Sequence, residues 1–144
     1  MDKRPITPEG HKRLKDELDY IKNIKRQDII DAISEARAHG DLKENAEYHA
    51  AREEQGLNEA RIREIEEALS LSTVIEYKEL GNENIVKFGS LVTILDLNLS
   101  EKKTYQIVGE FEADIDNNTI SITTPIGKAL LKKETGDIVE VDTP

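Results

Sequence analysis

Two carboxylates, Asp41 and Glu44, stand three residues apart in the run Glu35-Ala-Arg-Ala-His-Gly-Asp-Leu-Lys-Glu-Asn-Ala-Glu-Tyr-His-Ala-Ala-Arg52, where Gly40 interrupts two long helical patterns. Oxygen ligands of this kind suit Mg²⁺, a hard cation that keeps several of its waters and shares itself with phosphate groups. Alone, such a pair binds Mg²⁺ weakly. Inserted beside a metal held elsewhere, it would complete a two-metal arrangement that orients water against a phosphodiester. Residues 41–44 also read as a capping box, in which Asp41 accepts from the amide three residues on and Glu44 reaches back to the amide of Asp41. Local sequence favours the cap, since short-motif evidence for a metal site is weak. The two readings are compatible only if the cap opens or shares an oxygen.

Arg37 and Arg52 flank the acids, and guanidinium groups there could hold phosphate oxygens through paired hydrogen bonds; the plainer reading is solvated helix charges pairing with nearby Glu. Tyr48 could stack on a base, but an aromatic at this spacing more often packs between helices. His39 and His49 lack the further ligands of a zinc-type site, and His39 suits the negative end of the first helix. No nucleophile-elbow motif and no phosphate-binding glycine loop occurs.

These residues need a scaffold. Leu14, Leu18, Ile21, Ile24, Ile29, Ile33 and Ala36 recur at a mean step of about 3.7 residues, a helical stripe. Thr7, Pro8 and Glu9 read as N-cap, first helical position and first-turn acid, so the stripe between Thr7 and His39 predicts a helix that begins near residue 8. Gly40 suits a positive-φ residue that ends it. A second stripe, Ala46, Ala50, Leu57, Ile62, Ile65 and Leu69, predicts a return helix, and the short connection makes the pair antiparallel. The tip spans 38–45. Beyond Leu71, runs at Leu91–Leu95, Thr104–Val108 and Thr119–Thr123 are β-branched and read as strands, with Asp116 to Asn118 as a turn. Thr124 and Pro125 read as cap and first position of a short helix to about Lys133, and Ile138–Val141 as a final strand. The fold class is α+β: a coiled-coil hairpin over residues 1–76, then a small α+β domain over 77–144.

Composition narrows the functions. The formal net charge is −10 and 35% of residues are charged, which disfavours free nucleic acid as a tight partner and favours a basic or protein one. Residues 1–76 carry 13 Lys/Arg and 18 Asp/Glu, and residues 77–144 carry 7 and 12, so neither half forms a charged tail. The absence of Cys excludes disulfides, thiolate metal sites and cysteine nucleophiles. No apolar run approaches membrane-helix length, and the first residues lack a signal-peptide core. The expectation is a soluble cytoplasmic monomer with no membrane association.

The stretch Ala36 to Glu53 closely resembles the tip signature of the bacterial Gre transcript-cleavage and elongation factor family, its GreA branch in particular. The resemblance extends to Thr7-Pro-Glu-Gly, Phe88-Gly89, Tyr105 to Gly109, Glu112-Ala-Asp114 and Ile120 to Ile126, and so covers essentially the whole chain. It implies an N-terminal antiparallel coiled-coil finger and a C-terminal domain of FKBP-like fold. It also implies bacterial RNA polymerase as the partner, with the C-terminal domain at the rim of the secondary channel and the finger passing through it. Carried over, Asp41 and Glu44 hold or position a second Mg²⁺, shared with the polymerase and not bound stably by this chain alone. They also position the water that cleaves backtracked RNA. Arg37 and Arg52 match the basic patch proposed to contact the extruded RNA 3′ end. Thr124 and Pro125 fall where the family faces the polymerase.

By this reading the chain is a cofactor stimulating the polymerase's own endonuclease activity and not itself an enzyme. The runner-up is a Gre-like inhibitor using the same finger, disfavoured because both tip acids are retained. A prolyl-isomerase reading of the C-terminal domain is disfavoured by its few aromatics, and a purely structural role would leave the tip as a cap. Family chains usually continue past Thr143-Pro144 into a last strand, so the resemblance also implies a missing sheet partner.

Overall fold

The computed structural model describes residues 3–41, 43–79 and 84–141. The chain packs as two compact units, one of Lys12–Ser70 and one that joins Met1–His11 to Leu71–Pro144. The division differs from a finger over residues 1–76 because the strand β1 (Arg4–Ile6) pairs in parallel with β2 (Ser72–Val74), drawing the first residues to the later half of the chain.

The first predicted helix forms as α1 (Pro8–Tyr20), a π-helical turn (Ile21–Lys25) and α2 (Arg26–Ala38). Thr7 caps it as expected, its Oγ1 accepting from Gly10 N at 3.0 Å. In the π turn Arg26 N–H donates to Ile21 O, five residues back, which inserts one residue into the helical repeat. The buried apolar positions are Leu14, Ile21, Ile29, Ile33 and Ala36, and the step from Ile21 to Ile29 across the π turn is longer by that residue than the step from Leu14 to Ile21. Ile24, expected in the stripe, is 53% exposed.

The return helix α3 (Ala46–Leu71) buries Ala51, Asn58, Ile62, Ile65 and Ala68. The predicted stripe agrees at Ile62 and Ile65 but is one residue out earlier, where Leu57 is 68% exposed and Asn58 only 4%. Asn58 turns inward because its Nδ2 donates to Ile21 O at 2.9 Å, the carbonyl of the π turn. Hydropathy cannot foresee a polar side chain drawn in by a backbone acceptor on the facing helix.

Cross-helix partners fall in number along α3 and its N-cap as they rise on the first helix: Glu17 with Arg61, Ile21 with Asn58, Ala36 with Asn45. The two helices thus run antiparallel, as predicted. Arg61 gives Glu17 two hydrogen bonds at 2.7 and 2.8 Å, and Arg26 gives Glu59 two at 2.8 Å. Paired guanidinium bonds fix geometry as well as charge.

In the other unit, β3 (Leu91–Asp96) and β4 (Glu101–Val108) form an antiparallel hairpin, and β5 (Thr119–Ser121) joins β4 in parallel. The segment 109–118 crosses over between them and ends on Asn118 at φ +59°, in the predicted turn. Tyr105, Ile107, Ile120 and Leu130 form the core beneath the sheet. The short helix α4 (Pro125–Leu130) stops before Lys133, and Lys132 takes φ +70°. Among the described residues Ile138–Val141 forms no strand, contrary to its β-branched pattern: Ile138 is 80% exposed, while Val139 packs against the core of Tyr105, Ile107, Ile120 and Leu130. The chain end at residues 142–144, on which the expectation of a missing sheet partner rests, lies outside the described residues. No helix among the described residues is long and apolar enough to cross a membrane.

Candidate functional site

The connection between α2 and α3 is built from its two ends. α2 stops at Ala38 because Gly40, at φ +125°, turns the chain out of the helix, and His39 N bonds back to Ala36 O at 3.1 Å. α3 starts at Ala46, where Asn45 Oδ1 accepts from Tyr48 N at 3.0 Å, the amide three residues on. Asn45 is therefore the N-cap.

This corrects the capping-box reading of residues 41–44. Asp41 lies four residues before the cap, and its Oδ1 instead accepts from Lys43 N at 3.0 Å, a local turn. Glu44 is exposed, and among the described residues its carboxylate has no hydrogen bond or ion pair. Sequence reading passed over Asn45, although Asn caps as well as Asp does; the signal was an Asn directly before the second helical run.

Asp41 and Glu44 line one open depression together with His39, Asn45, Ala46 and Glu47. The predicted pair is thus brought onto one surface, although not at a helix start. Among the described residues no three His, Cys, Asp or Glu side chains are grouped to hold a metal. Two carboxylates, one with an oxygen already engaged, supply too few oxygens for a self-sufficient Mg²⁺ site. Arg37 and Arg52 are exposed on α2 and α3, and neither takes an acidic partner among the described residues. The expected pairing with Glu does not form there.

Tyr48 packs against the cluster of Ile29, Ile33 and Ala51, and meets the His49 ring edge-on at 5.5 Å between centroids. Its ring serves the helix pair. His49 Nε2 lies 3.2 Å from Lys43 O, bracing the loop. In the other unit Thr124 caps α4, accepting from Gly127 N at 3.1 Å and donating to Ser121 O at 2.8 Å, with Pro125 exposed at the first helical position.

A family model described as "Transcription elongation factor, N-terminal" matches residues 4–74, and one described as "Transcription elongation factor, GreA/GreB, C-term" matches residues 81–144. The chain belongs to the GreA/GreB family of transcription elongation factors. It is 54% identical over 143 residues to the transcription elongation factor GreA of Francisella tularensis subsp. novicida (strain U112), covering 99% of this chain and 89% of that one. The same figures hold for GreA of subsp. holarctica (strain LVS). Among solved structures, this Gre-family chain is similar to the transcription factor Gfh1 at 29% identity and a TM-score of 0.51, covering 100% of this chain and 92% of that one. The tip of this family member falls within the N-terminal match, and Thr124 and Pro125 within the C-terminal one.

Proposed function

We propose that this chain binds bacterial RNA polymerase and stimulates the polymerase's intrinsic cleavage of backtracked RNA, rescuing arrested complexes. The helix pair is the coiled-coil finger that passes through the secondary channel, and the sheet unit is the FKBP-like domain that docks at its rim, with Thr124 and Pro125 facing the polymerase. The chain acts as a cytoplasmic monomer and is a cofactor of the polymerase's endonuclease, not an enzyme by itself.

One observation carries the reading: in a chain of the elongation factor family, Asp41 and Glu44 share an open depression and, among the described residues, nothing engages the Glu44 carboxylate. A shared Mg²⁺, when bound, stabilises charge on the phosphate and activates water. The turn bond from Lys43 N fixes the Asp41 carboxylate through one oxygen, and Glu44 is free to accept from water. Arg37 and Arg52, unpaired by acids among the described residues, are available to hold phosphate oxygens of the RNA 3′ segment.

The test is RNA release from a stalled, backtracked bacterial transcription complex in Mg²⁺, with the unsubstituted chain and its Asp41→Asn/Glu44→Gln double variant. Neither residue caps α3, so the variant keeps its helix content by circular dichroism. Short 3′ fragments only with the unsubstituted chain are expected. Equal cleavage by both would remove the tip acids from the mechanism. A bound factor that releases no RNA would overturn the reading.

A further inference from the structure

One side-chain amide joins the two helix ends at the tip. Asn45 Nδ2 donates to Ala36 O in the last turn of α2 at 2.5 Å, and Asn45 Oδ1 accepts from Tyr48 N in the first turn of α3 at 3.0 Å. The orientation is forced, since flipping the amide would set donor against donor at Tyr48 and acceptor against acceptor at Ala36. We propose that Asn45 is the positioning residue of the tip, closing the loop so that Asp41 and Glu44 are held where they act; this rests on the cleavage-factor reading above.

Capping explains only half of what Asn45 does. Ser or Asp would accept from Tyr48 N equally well. The second bond answers a need created by Gly40, whose turn leaves Ala36 O, among the described residues, with only His39 N from the backbone, while Gly40 N reaches Arg37 O at a long 3.5 Å. Ala36 is buried, so water cannot readily fill the remaining lone pair, and the Asn45 amide does. Residues 37 and 44, at the two ends of the connection, thereby flank positions tied to one planar group. Inside it, Lys43 is held through its amide by Asp41 and through its carbonyl by His49. Loss of the Asn45 donor frees α2's end from α3's start without removing either acid, and displaced groups near reacting atoms lower a rate steeply.

The experiment uses the full chain carrying Asn45→Ser or Asn45→Asp. Both retain the cap and lack the amide donor, one neutral and one anionic, so an effect common to both is not one of charge. Helix content should be unchanged and amide exchange over residues 37–44 should accelerate. In the backtracked-complex assay the maximal cleavage rate should fall ~10- to 100-fold, with the half-saturating factor concentration unchanged. A merely structural role would instead leave the maximal rate unchanged and raise that concentration, whereas a lowered thermal midpoint is expected either way, because the buried Ala36 carbonyl loses a donor. Either variant cleaving at the unsubstituted rate, or exchanging as slowly at the tip, overturns the proposal. An unsubstituted chain that binds polymerase without releasing RNA defeats the cleavage-factor reading on its own, and with it any catalytic positioning by Asn45.

Discussion

The buried carboxylate of Glu112 holds the first turn of α1 through Thr7: Oε2 accepts the Thr7 amide at 2.8 Å, and Oε1 takes the Thr7 hydroxyl. Oε2 also accepts from Gly109 N at 2.8 Å, and Thr7 Oγ1 accepts from Gly10 N. A carboxylate 7% exposed is thus satisfied by backbone amides and a hydroxyl, at a helix N-terminus where negative charge is favoured.

The closeness of this contact makes Gly10 a sensitive position. A Cβ there would lie 2.7 Å from Glu112 Cδ and 2.9 Å from its Cβ. Gly10→Ala should therefore destabilise by ~2 kcal/mol in urea unfolding, although Ala is the better helix former. A stabilised Gly10→Ala variant would show that the first turn does not approach Glu112 this closely.

Asn58 and the π turn give a second test. An apolar side chain at this buried position removes one polar group while Arg26 N still satisfies Ile21 O, so Asn58→Leu should change stability by less than ~1 kcal/mol. Asn58→Asp sets a carboxylate against that carbonyl and should cost ~3 kcal/mol at neutral pH. Chemical denaturation of the two variants checks the order, and equal costs would sink the assigned hydrogen bond.

Gly40 and Gly56, at the end of the first helix and within α3, should respond oppositely to the same change. Neither has an atom within 4 Å of an added Cβ, but Gly40 sits at φ +125° while Gly56 is inside α3. Gly40→Ala should destabilise by ~1 kcal/mol, and Gly56→Ala should stabilise by ~0.5–1 kcal/mol. Thermal midpoints moving in the same direction would contradict the assignment of the turn.

Acid should weaken the cross-helix pairs. The hydrogen bonds from Arg61 hold Glu17 below the usual carboxylate value of 4.5, with burial opposing, and those from Arg26 do the same for Glu59. A folded-state value below the unfolded one means the stabilisation is fully present above that ordinary value and is lost as pH falls through the lowered one. The gap in thermal midpoint between the unsubstituted chain and Glu17→Gln/Glu59→Gln should be constant well above pH 4.5 and should close as pH falls below it through the lowered folded-state values. The gap stays modest because these side chains are about a third or more exposed. A gap that widens in acid would refute the sign.

Local chemistry was legible in the sequence where few residues decide the outcome. Thr7 and Pro8 begin α1, Gly40 ends the first helix and Thr124 caps α4, because a cap or a positive φ depends on neighbours within one turn. Repeats at helical spacing likewise sufficed to find both long helices, and the run from Ala36 to Glu53 sufficed to suggest the family. Choices among locally equivalent options needed the tertiary fold. Asp41 and Asn45 are equal candidates for a cap, and the carbonyl of Ala36 on the other helix favours Asn45, whose amide alone can donate to it. Leu57 and Asn58 compete for one inward position, and the π turn's carbonyl draws in the polar one against hydropathy. The parallel pairing of β1 with β2, and the failure of Ile138–Val141 to pair, follow from which backbone partners lie alongside, a relation between distant segments that periodicity does not encode.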